Sequence, residues 1–464
     1  MAFNPSAVSA PGKVLLAGGY LVLDQNYSGL VFALSARIYA VSVANEQKPN
    51  TITVRSPQFA GAEWGYEISL PGVEYDDGGV AIMPVAGSSK NPFVETTIRY
   101  VLSYLTASTP GLSSSTHPGA VITIYADNDY YSQPPSNTPT PRFNNLNVPI
   151  TSAHKTGLGS SAALTTALTA CLLSTFSQPT IDLSSPETET KIHNLAQASH
   201  CAAQGKVGSG FDVAAAVFGS CVYHRFSPAI LEIVGDAGSA GFAGRLQEAV
   251  DKTWDFKVEK TRVPPGLRLL MGDVDCGSST PGMVRKVLAW RKEDSEAAKA
   301  QWDTIEDLNK GLIDLLADAR KLSERSPGEY LEALNNINNE SSVISEGSTL
   351  LQNISAQISK IRANIRAMGE AADVPIEPPA QTKLLDSAVA STKGVLGAMV
   401  PGAGGYDAVV FLMVDREDVV ENLKRFLKKY KFEGEGDGKG TVEALETREE
   451  HKGIRNEEIS MFTS

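Results

Sequence analysis

One stretch constrains this chain more than any other: Lys155-Thr156-Gly157-Leu158-Gly159-Ser160-Ser161-Ala162-Ala163. Its two glycines let the backbone close on a ligand, and the small residues after them open a helix predicted over residues 160–176. The free N–H groups and positive dipole end of such a helix form an anion site. Ser160 and Ser161 add hydroxyls where phosphate oxygens and a Mg²⁺ ion sit. A serine-capped, Gly-rich turn with no ligand reads the same way locally. The stretch is not the P-loop of nucleotide-binding folds, because no Gly-Lys-Ser/Thr follows a glycine five residues earlier. Gly438-Lys439-Gly440-Thr441 fails the same test.

The rest of the chain supplies a setting for that turn. With 464 residues it exceeds one typical core and predicts two or three domains, and 42% hydrophobic residues rule out disorder as the main state. The first 60 residues read as strands, at 13–17, 20–23 and 38–43. A helix is predicted over 92–106, with Val94, Ile98, Val101, Leu102 and Leu105 on one face, and a strand over 121–125. Residues 132–149 are Pro- and Asn-rich, a long loop that is mobile or laid over a site. A helix at 186–204 starts with Ser185 as cap and Pro186 at its first position. Residues 281–369 are mostly helical. Leu351, Ile354, Ile358, Ile361, Ile365 and Met368 form a seam that serves a helical hairpin or a dimer contact, leaving monomer and homodimer both open. A strand at 408–414 and a helix at 417–430 follow. The expected domains are 1–225, 226–432 and a flexible, Gly- and charge-rich tail at 433–464.

Composition narrows the function class. With 53 acidic against 41 basic residues the net charge is −12, which argues against nucleic-acid and anionic-membrane partners. Cys171, Cys201, Cys221 and Cys276 are too few and scattered for a disulfide scaffold or a zinc site. No signal peptide and no apolar run of spanning length is present, so a cytoplasmic, reducing compartment is expected.

Two further glycine-rich elements accompany the first. Ala10-Pro11-Gly12-Lys13 sets a lysine at a turn-to-strand junction and runs on to Gly18-Gly19-Tyr20. Pro401-Gly402-Ala403-Gly404-Gly405-Tyr406-Asp407 leads into the 408–414 strand. Taken in this order, the three elements resemble the motifs of the GHMP kinase superfamily. APGKVLLAGGYLVLD at 10–24, KTGLGSSAA at 155–163, QGKVGSGFDVAAA at 204–216 and GSSTPGMVRKVLAW at 277–290 are most similar to the fungal and plant family of phosphomevalonate kinases. Gly19-Tyr20 stands where galactokinases and mevalonate kinases usually carry Glu-His, which argues against an alcohol as acceptor.

The resemblance implies an α+β, two-domain fold: an N-terminal α/β domain, a C-terminal α+β domain with a long helical insertion, and an active site in the cleft between them. It implies transfer of the γ-phosphoryl of Mg-ATP to (R)-5-phosphomevalonate, a small phosphorylated acid, on the route to isoprenoids and sterols. Alternatives are another GHMP small-molecule kinase, such as mevalonate kinase, or a ligand-binding regulator without turnover. Lys13 and Asp212 become the expected catalytic pair, and Lys155, Gly157, Leu158, Gly159, Ser160, Ser161 and Ala162 the ATP-binding loop, with Ser161 on Mg²⁺. Gly19, Tyr20, Ser209, Ser278, Ser279, Thr280, Ala403 and Gly404 become candidates for the acceptor, with Lys206, Arg285 and Lys286 as further positive charge. Asp212 also reads as a plain helix cap, and Ser278–Thr280 as N-capping. Residues 91–95 and 126–131 fall where an adenine pocket is expected; Asp127 and Asp129 there read more readily as an Asx turn than as metal ligands. Mevalonate kinases supply a second metal ligand, a glutamate 11 residues before the catalytic aspartate. Here that position is Cys201, a poor ligand for so hard an ion, leaving water, Gln204 or another carboxylate to serve.

Overall fold

The computed structural model describes residues 3–70, 79–109, 118–133, 141–274, 280–337, 345–432 and 441–462. Its first layer is built from β1 (Ser6–Ala17), β2 (Ser28–Asn45), β3 (Thr51–Arg55), β4 (Glu63–Ser69), β5 (Ala81–Pro84), β6 (Gly119–Ala126), β7 (Cys221–His224) and β8 (Lys257–Lys260). A second sheet contains β9 (Leu267–Val274), β10 (Val395–Met399), β11 (Ala408–Val414) and β12 (Val442–Ala444), ordered β10-β11-β9-β12. Two short strands, β13 (Glu449–Glu450) and β14 (Arg455–Asn456), return to the first sheet, whose path is β14-β1-β2-β6-β3-β4-β5. Strand β2 is its spine, pairing with β1, β6, β7 and β13. Only β3 and β6 run parallel among the described pairs.

Against the first sheet lie α1 (Pro92–Ser108), α2 (Ser160–Phe176) and α4 (Phe211–Phe218); α3 (Pro186–Gln204) packs on these three, the single turn α5 (Ala229–Glu232) follows β7, and α6 (Phe242–Asp251) packs on α1 and α3. Helix α2 is buried nearly all round, as its run of Ala, Leu and Thr predicts for a helix inside a layer. Helix α3 starts at Pro186 and ends at Gly205 in the left-handed region, but Ser185 makes no side-chain cap bond. The insertion comprises α7 (Thr280–Glu293), α8 (Ser295–Arg325), α9 (Pro327–Asn335) and α10 (Glu346–Ala371); α11 (Pro379–Ser391) and α12 (Glu417–Lys429) cover the second sheet. The α10 seam packs inward on α8 and β10, with Leu351, Ile354, Ile358, Ile361 and Met368 buried, so it is used inside this chain.

Three expectations need correction. Residues 20–23 form a 3-10 turn (Gly19–Leu23), not a strand: Gly18 turns the chain at φ 103°, and Tyr20, Leu21 and Val22 are buried within that turn. The first sheet continues past residue 225, because β8 pairs with β7. The tail was expected to be frayed, yet residues 441–462 thread back over both sheets. The reason is a buried guanidinium: Arg37 is 1% exposed and finds Glu450 at 2.9 Å, the Gly453 carbonyl and Ser9 Oγ. Residues 433–440, and the 134–140 part of the long loop, lie outside the described residues.

Candidate active site

Strand β1 carries an irregularity between Pro11 and Lys13, the kind of local kink that re-aims a side chain. Gly12 sits at it because a Cβ there would meet Tyr130 Oη at 3.0 Å and the Leu158 carbonyl at 3.1 Å. The strand therefore runs hard against the 157–161 turn: Lys13 N donates to Leu158 O at 2.9 Å, and Lys13 Nζ donates to Gly157 O at 2.9 Å. Gly159 ends the turn at φ 81° as the residue before α2. Burial lowers the Lys13 pKa, and the charge of Asp212 works against that.

Asp212 stands in the first turn of α4, behind Gly208-Ser209-Gly210. Arg225 clamps that turn, donating to the carbonyls of Gly208, Val207 and Leu23. Tyr223 Oη donates to Ser209 O at 3.0 Å. The opposite wall is the 401–405 turn: Tyr20 Oη donates to Ala403 O at 2.7 Å, Gly402 N to Leu15 O, and Gly405 N to Ile376 O. Tyr20, Leu21 and Tyr27 share a buried cluster with Met283, Val287, Trp302, Ile305 and Met368, which fixes the insertion against this wall.

These elements enclose a cleft of about 330 Å³ lined by Lys13, Gly19, Tyr20, Gly157, His200, Gln204, Lys206, Ser209, Asp212, Ala403, Gly404 and Asp407. On the other side of the 157–161 turn lies a pocket of about 470 Å³, walled by Ile38, Phe59, Trp64, Pro92, Phe93, Val94, Tyr131 and Leu164, with Lys155, Ser160 and Ser161 on its border. An apolar pocket beside a phosphate-type loop suits a purine base. Residues 91–94, 126 and 131 of the two expected segments line it; Glu95 does not.

Leu158 and Ala162 are buried in the core, so backbone groups are what they can offer a ligand. Arg285 and Lys286 are exposed on α7, and Lys286 pairs with Asp373 at 2.8 Å, which removes both as cleft charges. Asp127 and Asp129 are structural: Arg37 N and Tyr39 Oη donate to Asp127, and Glu446 N donates to Asp129 at 2.9 Å. Ser278 and Ser279 lie outside the described residues, as does the side chain of Thr280, which begins α7; Val284, one turn on, lines the cleft. His200, Gln197 and Arg225 were not singled out from sequence. For His200 a signal existed, since it lies four residues before Gln204 on one helix face.

No three His, Cys, Asp or Glu side chains gather as a metal site among the described residues. A Mg²⁺ ion carried by a nucleotide needs only one or two protein oxygens, the rest of its shell being phosphate and water. The Ser161 hydroxyl and the Asp212 carboxylate are oxygen donors of that kind, so the residues present fit the ion. Cys201 does not contribute: its buried Sγ accepts from Gln197 Nε2 at 3.2 Å, and burial raises the thiol's pKa.

The fold and cleft together define a GHMP kinase. The GHMP kinases N terminal domain matches residues 143–220, which hold the 157–161 turn and Asp212, and the GHMP kinases C terminal model matches 351–432, which hold the 401–405 turn. The chain is 44% identical to phosphomevalonate kinase ERG8 of Gibberella zeae, covering 98% of this chain and 97% of that one. It is 38% identical to the peroxisomal phosphomevalonate kinase of Arabidopsis thaliana over 86% and 88% of the two chains. Two solved structures share the fold: a Lin0012 protein from Listeria innocua (TM-score 0.65, 18% identity, 98% of this chain and 100% of that one) and a Streptococcus pneumoniae phosphomevalonate kinase in complex with phosphomevalonate and AMPPNP (TM-score 0.58, 15% identity, 90% and 95%). The chain belongs to the phosphomevalonate kinase family.

Proposed function

We propose that the chain transfers the γ-phosphoryl group of ATP to the phosphate of (R)-5-phosphomevalonate, giving (R)-5-diphosphomevalonate and ADP. The observation that carries this reading is 44% identity, across nearly the whole length of both chains, to a relative named for that activity. The apolar pocket takes the base, the 157–161 turn the phosphates, and the Lys13–Asp212 cleft the acceptor.

A phosphomonoester has a second pKa of about 6, so its oxygen is mostly ionised at pH 7. That oxygen attacks Pγ, the bond from Pγ to the β-bridging oxygen breaks, and no proton has to move. The protein's task is to hold two polyanions in line and neutralise charge. Lys13, anchored on Gly157 O, puts an ammonium beside the transferring group, and Asp212 favours its charged form in a buried setting. Lys206 adds a second positive charge on the cleft wall. Asp212 orients Lys13 and the acceptor; it is not an obligatory base. Ser161 and Asp212 would hold Mg²⁺ together with the nucleotide, and the ion would supply charge neutralisation. Ser209 and the 403–404 backbone complete the described part of the acceptor site. Buried free thiols at Cys171, Cys201 and Cys221 suit the reducing cytoplasm we assign. Among the described residues no helix is long and apolar enough to cross a membrane.

The test is ADP release with phosphomevalonate, mevalonate and diphosphomevalonate in parallel. Turnover confined to phosphomevalonate supports the proposal. Turnover on mevalonate alone contradicts it, and silence on all three with ATP bound makes the chain a regulator.

A further inference from the structure

Helix α3 passes behind the phosphate turn, and two of its histidines are buried in different ways. His193 is a core residue: its Nδ1 meets Asn194 Oδ1, and its ring packs on Phe218, Trp254 and Phe256. His200 is only 3% exposed, yet its Nε2 lies 3.1 Å from Ser161 Oγ and 3.2 Å from Gln204 Nε2, on the wall of the cleft that holds Asp212. Phe93 lies against its ring, centroids 5.7 Å apart, which restricts the imidazole to this orientation.

With an amide nitrogen beside it, Nε2 is the acceptor nitrogen of a ring whose hydrogen sits on Nδ1, and its single lone pair is shared between the Gln204 N–H at 3.2 Å and the Ser161 O–H at 3.1 Å. We infer that His200 is a positioning residue: it takes the Ser161 O–H and so turns the oxygen lone pairs of that hydroxyl toward the metal-bearing phosphates. The inference rests on the phosphoryl-transfer reading above. It also accounts for an oddity of α3, where Cys201 stands at the position of an expected carboxylate and has its sulfur engaged by Gln197. This helix then serves the ion through His200 and the Ser161 hydroxyl. Histidines and carboxylates that orient a ligating group typically change metal affinity about 10- to 100-fold when removed.

The experiment is calorimetric binding of ADP to the full chain with and without Mg²⁺, for wild type, His200→Gln, His200→Asn and His200→Leu. Glutamine can place its Oε1 near the position of Nε2, whereas asparagine is too short to reach it. We expect His200→Gln to keep the Mg²⁺-dependent tightening of ADP within about threefold, and His200→Asn and His200→Leu to weaken it about 10-fold or more. Metal-free ADP binding should stay unchanged in all three. In a Ser161→Ala background the His200 substitutions should cost nothing further. If His200→Leu does not fold, the Gln and Asn pair decides. Equal Mg²⁺ dependence in wild type and the folded Asn or Leu variant overturns the inference and leaves the functional reading standing. Equal loss of metal-free and metal-dependent binding also overturns it, because that is a packing defect. A wild-type chain that binds no ADP under either condition overturns the functional reading and the inference with it.

Discussion

Replacing Gly159 by alanine tests whether the Lys13 ammonium must stay where the phosphate turn holds it. Gly159 sits at φ 81°, and a Cβ built there lies 2.9 Å from Lys13 Cε and 3.2 Å from Lys13 Cγ. A left-handed backbone costs an L-residue roughly 1–2 kcal/mol. Carbon atoms want about 3.5–4.0 Å between them, so the lysine stem has to retreat by about 0.6 Å or more and carries Nζ away from Gly157 O. A misplacement approaching 1 Å at a reacting centre can cost about 100-fold in rate. Gly238→Ala supplies the control: φ is 93°, so the backbone strain is similar, but nothing lies within 4 Å of its Cβ. Urea unfolding should show both variants losing about 1–2 kcal/mol. Steady-state ADP release should show kcat/KM falling about 100-fold in Gly159→Ala and staying near wild type in Gly238→Ala. A Gly159→Ala enzyme no slower than Gly238→Ala would refute the positional role given to Lys13.

Three further outcomes are expected. Glu377 has a fully buried carboxylate that accepts from Arg362, Arg366 and Thr382, next to the Ile376 carbonyl that holds Gly405 N. Glu377→Ala should lose about 3–5 kcal/mol in urea unfolding and raise KM for the acceptor, and a loss under about 1 kcal/mol would contradict the assignment. Tyr20→Phe removes the 2.7 Å bond to Ala403 O and should raise acceptor KM about 5-fold while leaving KM for ATP unchanged, read from initial rates. Asp129 has its pKa raised to about 6, chiefly by burial, so between pH 4 and 6 the folded state binds a proton that the unfolded state has lost. Stability attached to this group is present below pH 4 and is lost as pH rises through 6. Asp129→Asn keeps an acceptor for Glu446 N, so it should flatten that slope and gain roughly 3 kcal/mol at pH 7 in denaturant titrations; an unchanged slope would contradict it.

Much of the site could be read from the sequence where the signal is local. The turn at 157–161 and the helix Ser160–Phe176 follow from glycine spacing and small residues, and the helix Pro186–Gln204 from its proline start. The convergence of Lys13, Asp212 and the 401–405 turn on one cleft is long-range, and only the co-occurrence of three motifs disclosed it. Three consecutive apolar residues at 20–22 suit a buried strand or a buried turn equally, and tertiary packing against the helical insertion decided for the turn. Tail composition pointed to a frayed end because it cannot show Arg37, some 400 residues earlier, waiting for Glu450. Phe59, in the turn between β3 and β4, and Trp64, on β4, enter the apolar pocket with no motif to mark them.

The central claim is that the acceptor atom is a phosphate oxygen. Phosphorus NMR of the product formed from ATP and phosphomevalonate tests it most directly. Transfer to the phosphate gives two mutually coupled phosphorus signals of a diphosphate ester, which is the result this account predicts. Two uncoupled monoester signals would mean that the chain phosphorylates the substrate's hydroxyl, and would contradict it.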